Sequence, residues 1–256
     1  MKFSGALKCR NTGGLLSVFL VVMMLLTACQ QNSDGLAWQV EGTAAGLADG
    51  DMLLLVDIDG EAIDSTTVSH GKFSFTGTTD SVCFYSVYVA KDEMNSVSFL
   101  TEPGTIEITL TEKAGDAKVG GTVANDALQE LVETVNPYYE RIEELEQALF
   151  QDTTRNTEKK WALMERYAQI AEEIGLKVRE AAEKNADNEL GFLLLTKFID
   201  LSEYADFVKA LIARLPEDYC RRQQVMALKK LLNDSEEPME ADIQTEEEKT
   251  EEEALQ

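Results

Sequence analysis

Cys29 closes an apolar run from Leu15 to Leu26 and is preceded by Leu26-Thr27-Ala28. A large apolar residue, two small ones and then Cys is the lipobox read by bacterial lipoprotein-processing enzymes. The chemistry it implies is cleavage before Cys29 and attachment of lipid to its thiol, with acyl chains of the palmitate class. Lys2, Lys8 and Arg10 precede the run with no acidic residue among them, as a secretory leader requires. As a helix, Leu15 to Leu26 would rise only about 18 Å, against a hydrocarbon core of about 30 Å. Residues 1–28 therefore read as a cleaved signal peptide, not as a membrane span. A single acyl chain anchors marginally, at about 0.8 kcal/mol per buried CH₂, whereas a diacylglyceryl group plus an N-acyl chain anchors for good. Gln31, the third residue of the cleaved chain, is not an aspartate of the kind that retains lipoproteins at an inner membrane, so the expected address is the outer membrane, in either leaflet.

Other candidates for chemistry are few. With Cys9 in the leader and Cys29 lipidated, Cys83 and Cys220 are the usable thiols, and no Cys-x-x-Cys occurs. An exported compartment permits a disulfide between them, but both sit among apolar residues, as buried free cysteines do; pairing stays open. His70 is the single histidine and hence the only imidazole base for a nucleophile. Followed by Gly71, it reads as an exposed hairpin tip. Zinc sites want several Cys or His at fixed spacing, which this chain lacks. Asp57-Ile58-Asp59-Gly60-Glu61 has the acidic alternation of a calcium loop, but its glycine comes too early and Val68 stands where the bidentate glutamate belongs. Asp64 and Ser65 read as a pair bonding local backbone to fix a bend between strands. Pro137-Tyr138-Tyr139 could line a groove where sheet meets helix, although tyrosines more often pack their rings and hydrogen-bond their hydroxyls. No catalytic, cofactor or metal-binding residue is assigned, and the chain is expected not to be an enzyme.

Short β-competent runs begin at Leu36, Met52, Val68, Val82, Val97 and Thr105, punctuated by Asp49-Gly50, Asp59-Gly60, His70-Gly71 and Pro103-Gly104. Turn signals about ten residues apart argue for an antiparallel β-sandwich or open barrel. Near residue 124 the period becomes helical. Asn125-Asp126 can cap a helix carrying Leu128, Leu131, Val132 and Val135, and Pro137 should kink or break it. Trp161, Met164, Tyr167, Ile170, Ala171 and Ile174 share one face of a second long helix, which reads as core or inter-helix packing. Leu190 to Ile199 is apolar almost all round and should be a buried helix. Ser202 should cap Glu203 to Leu215, and Pro216 should open a last amphipathic segment. Residues 234–256 carry eleven acidic side chains and one lysine, the composition of a disordered tail.

The expected fold class is thus α+β: leader 1–28, tether 29–35, β domain 36–123, helical segment 124–233 and acidic tail 234–256. The 256 residues carry a formal charge of −24, and loss of the leader, with three basic residues and no acidic one, moves this to −27. Phosphate backbones and anionic lipid heads would repel such a chain. Nucleic acid is excluded as a partner, and membrane contact should come only through lipid on Cys29.

The strand half carries a signature: Val40-Glu41-Gly42, Ile63-Asp64-Ser65-Thr66, Gly71-Lys72-Phe73-Ser74-Phe75-Thr76-Gly77, Glu102-Pro103-Gly104-Thr105 and Asn125-Asp126. It resembles the exported domain of unknown function 4369, over roughly residues 36–135. In many relatives the helices that follow lead into a thioredoxin-like domain with a redox Cys-x-x-Cys. Here the acidic tail follows instead, so the redox activity of longer relatives is not carried over. The expected role is a lipid-anchored, non-catalytic module for an unidentified protein or ligand. The alternative, resting on family association alone, is an accessory to envelope thiol-disulfide chemistry beside a separate thioredoxin-like protein.

Overall fold

The computed structural model describes residues 35–151 and 157–234; the lipobox and the tail from residue 235 lie outside the described residues. Eight strands come first: β1 (Leu36–Ala44), β2 (Met52–Asp57), β3 (Ala62–Thr67), β4 (Lys72–Thr79), β5 (Phe84–Val89), β6 (Asp92–Leu100), β7 (Gly104–Leu110) and β8 (Lys118–Gly120). They form two four-stranded sheets, ordered β4-β1-β7-β8 and β3-β2-β5-β6. Of the two expected architectures, the sandwich is the one formed. Alternation drives it: Trp38, Val40 and Ala44 of β1 point inward with Ile106, Ile108 and Leu110 of β7, against Leu53, Leu55, Val87, Val89 and Phe99.

All pairings are antiparallel except β1 with β7, which run parallel from Trp38↔Gly104 to Ala44↔Leu110. A parallel pair cannot be closed by a hairpin, and the chain visits the second sheet twice before β7 arrives. β3 was not expected as a strand. It is a largely exposed edge without apolar alternation, so nothing in its hydropathy marks it. The turn at Ser69–Lys72 has φ of 52° at His70 and 68° at Gly71, as a two-residue hairpin with right-handed strand twist demands.

Two glycines serve a different purpose. Gly42 pairs with Phe73 and Gly77 with Trp38 across β1 and β4. A Cβ at Gly42 would stand 2.2 Å from the Phe73 ring, and one at Gly77 would stand 2.5 Å from the Trp38 ring. Each glycine is where the opposite aromatic lies down on the sheet.

The helices follow: α1 (Val123–Gln151), α2 (Thr157–Lys184), α3 (Glu189–Leu193) running into a π-helical turn (Leu194–Phe198), α4 (Ala205–Ile212), α5 (Glu217–Cys220) and α6 (Gln223–Asp234). α1 begins two residues before the expected cap, so Asn125 lies in its first turn instead. There its buried amide exchanges two hydrogen bonds of 2.8 Å with the backbone of Leu100, riveting α1 to the end of β6. Asp126 accepts from the Gly121 N–H. Pro137 does not break α1, which is one helix on both sides of it. Proline forfeits one backbone bond, and cross-links to α2 on both sides of it, Lys184–Glu130 and Arg141–Glu173, hold the turns together. Ser202 is not a cap either: its N–H and hydroxyl both donate to Asp200, and α4 starts only at Ala205. The expected buried stretch does bury Leu190, Gly191, Leu193, Leu194 and Leu195, but its last turn is π-helical and leaves Phe198 exposed.

Candidate functional site

The residues singled out for chemistry are not gathered by the fold. Leu26, Thr27, Ala28 and Cys29 lie outside the described residues. His70 occupies the tip of the β3–β4 turn, where its N–H donates to Asp49 and its ring lies 3.1 Å from the neighbouring Ser69 hydroxyl. Asp57 spends one carboxylate oxygen on the N–H groups of Asp59 and Glu61, a turn-fixing arrangement. Asp64 accepts from the Ser65 N–H at 2.7 Å. The bond is local as expected, yet it lies within edge strand β3 and not at a bend between strands. Among the described residues, no three His, Cys, Asp or Glu side chains come together as metal ligands.

Cys83 and Cys220 are both half-buried free thiols. Each bonds nearby backbone carbonyls, Cys83 that of Ser81 and Cys220 those of Ile212 and Leu215.

A groove does form where the second sheet meets the helices, with a volume of about 300 Å³. Cys83, Phe84 and Tyr85 line one side, Phe192 and Leu193 the other, with Glu189 and Lys197 at the polar positions. Tyr138 and Tyr139 are not part of it. Tyr138 faces the Arg141 guanidinium on α1, and Tyr139 is exposed. On the helical side, Arg222 grips Glu189 with two parallel bonds of 2.7 Å while stacking on Phe192 and Tyr219. Burial is the main cause pushing both Tyr85 and Tyr219 up to about 12. The two phenols are held protonated, and Arg222 and Glu189 neutralise one another beside the groove. No sequence signal announced Arg222 and Glu189, because 33 residues separate them.

The other distinctive surface lies on α2. The face expected to be packed is split. Ile170 is buried and Ile174 half-buried, whereas Trp161 is 67%, Met164 57% and Tyr167 41% exposed. The 3.6-residue period identified residues sharing a side, but α1 packs along α2 while Trp161, Met164 and Tyr167 stay exposed. Trp161, Met164, Ala168, Ala171 and Gly175, spaced 3-4-3-4, form a second stripe facing away from it. Toward the body of the protein this stripe enters a furrow of about 390 Å³, closed by Phe198, Ile199 and Tyr204. Arg179 seals its floor, donating to Glu172 at 2.7 Å with its guanidinium 3.9 Å from the centre of the Tyr204 ring. The Tyr204 hydroxyl bonds to Glu203 and Glu172, which chiefly push its pKa up to about 12. The large apolar side chains of this stripe, Trp161 and Met164, stay in water among the described residues. Among the described residues, no helix is long and apolar enough to cross a membrane.

Residues 38–128 match the family described as "Domain of unknown function (DUF4369)". The match takes in the sandwich and the first turns of α1, with Gly42–Phe73, Gly77–Trp38 and Asn125 inside it; the rest of the helical half lies beyond. No curated protein and no solved structure matches the chain.

Proposed function

We propose that this chain, whose strand half is a domain of unknown function, is an envelope lipoprotein that acts as a non-catalytic interaction module. In this reading the leader is removed before Cys29, lipid on that thiol holds the protein in the outer membrane, and the helical arm is offered to a partner protein. The observation that carries it is the uncovered Trp161–Met164–Ala168–Ala171 face of α2. The lipobox supports the anchor.

A photo-cross-linker at position 161 in intact cells should capture a defined protein that the same group at exposed Thr76 does not. Equal capture from both positions, or from neither, overturns the interaction reading. Clickable fatty acid should label the wild type and not Cys29→Ala; equal labelling refutes the anchor. The purified chain should give no turnover in insulin reduction, and measurable turnover would end the non-catalytic reading.

A further inference from the structure

We infer that the free face of α2 receives an amphipathic helix with one basic edge, supplied by a different protein. This rests on the interaction reading above and specifies the chemistry of the partner. Spacing is the first argument. Trp161, Met164, Ala168, Ala171 and Gly175 repeat in steps of three and four, the seam into which a second helix fits its own apolar residues. The far end offers bulk, and the near end offers small residues that let another backbone approach. The furrow bounded by Phe198 and Ile199 continues the seam where the residues of α2 shrink.

Charge is the second argument. One edge of the seam is a row of glutamates seven residues apart, Glu158, Glu165 and Glu172, and Asp200 and Glu203 extend it across the furrow. Glu172 is partly spoken for by Arg179 and Tyr204; Glu158 and Glu165 are exposed. Such an edge selects Lys or Arg on the facing helix and disfavours acidic residues there. A second copy, cleaved before Cys29, would bring a formal charge of −27 with the same glutamate row, and the chain's own residues 235–256 are acidic as well. Both are mismatched to this surface.

The test uses the purified protein in zwitterionic nanodiscs and two synthetic helices, each with leucine at its seam positions. One carries Lys along the edge that meets Glu158 and Glu165, the other Glu there, and both are uncharged along the edge that meets Lys160. Trp161 is the reporter, and a Trp161→Phe variant supplies the signal of buried Trp38, the second tryptophan. The Lys peptide should shift Trp161 emission to the blue and bind at least about tenfold more tightly than the Glu peptide, with affinity falling as salt rises. Met164→Glu should abolish the shift with an unchanged circular dichroism spectrum. Glu158→Lys with Glu165→Lys should reverse the preference.

Equal binding of both peptides would overturn the proposal. So would Trp161 emission that is already blue and unmoved by either peptide, since lipid or a second copy would then cover the face. A partner captured from position 161 in cells that lacks a basic amphipathic helix defeats this inference while leaving the interaction reading standing. Failure to capture any protein defeats both.

Discussion

Adding one carbon at Gly77 or Gly42 probes how the first sheet is packed. Either Cβ would run into an aromatic ring, Trp38 or Phe73, that cannot leave without opening the core. Gly77→Ala is expected to cost about 1–3 kcal/mol, typical of overpacking, read from urea denaturation. A change below about 0.5 kcal/mol would mean that the Trp38 ring moves aside freely. Asn125→Ala should cost about 1–3 kcal/mol, because it strands the buried N–H of Leu100, whose C=O keeps its bond from the Glu102 N–H. Asn125→Asp would keep the acceptor but set a buried carboxylate against the Leu100 C=O, and should cost at least as much as Asn125→Ala at neutral pH. At this scale the sequence was partly legible. Gly71 and Gly104 do sit at positive φ, 68° and 124°, as read. Gly77 has a different reason, the ring across the strand, which depends on a pairing register that composition does not contain.

Secondary elements show where periodicity stops being informative. The alternation in β1 and β7 and the turn at His70-Gly71 were visible, because local geometry dictates both. β3 was missed because an exposed edge needs no apolar alternation. On α2 the pattern named the right residues and the wrong environment: two apolar stripes run along that helix, and among the described residues the Trp161–Met164 end of one stays exposed. The energetic contrast is measurable. Ile170→Ala should destabilise by about 2–5 kcal/mol, as buried truncations do. Trp161→Ala should stay within about 0.5 kcal/mol of wild type, while cross-linking to the partner is lost. A large stability loss at Trp161 would mean that the face is internal after all. Asn125 and the Arg222–Glu189 pair were illegible for another reason. Their partners lie 25 and 33 residues away, and only the folded chain introduces them.

The molecule as a whole should be sensitive to alkali. Burial raises Tyr85 and Tyr219 to about 12, and hydrogen bonds to carboxylates raise Tyr204 to about 12. In the unfolded chain these phenols titrate near 10. Below that value both states are protonated and the stability they contribute is fully present. As pH rises from about 10 toward 12 the unfolded state ionises first, and this contribution is lost. Tyrosinate absorbance should therefore show three of the seven tyrosines ionising late, or together with unfolding. Seven equivalent tyrosines titrating near 10 would contradict these environments.

The parallel contact between β1 and β7 also sets an order of events. β1 lies inside its sheet, between β4 and β7, and its second edge stays bare until residues 104–110 are available. Local hairpins can close as the chain emerges, but this seam joins residues 66 apart and must wait. Contacts of that span slow folding. For much of its synthesis the first strand of the protein presents an open row of backbone donors and acceptors, which is the period in which a chaperone, or another unfinished chain, could add to it.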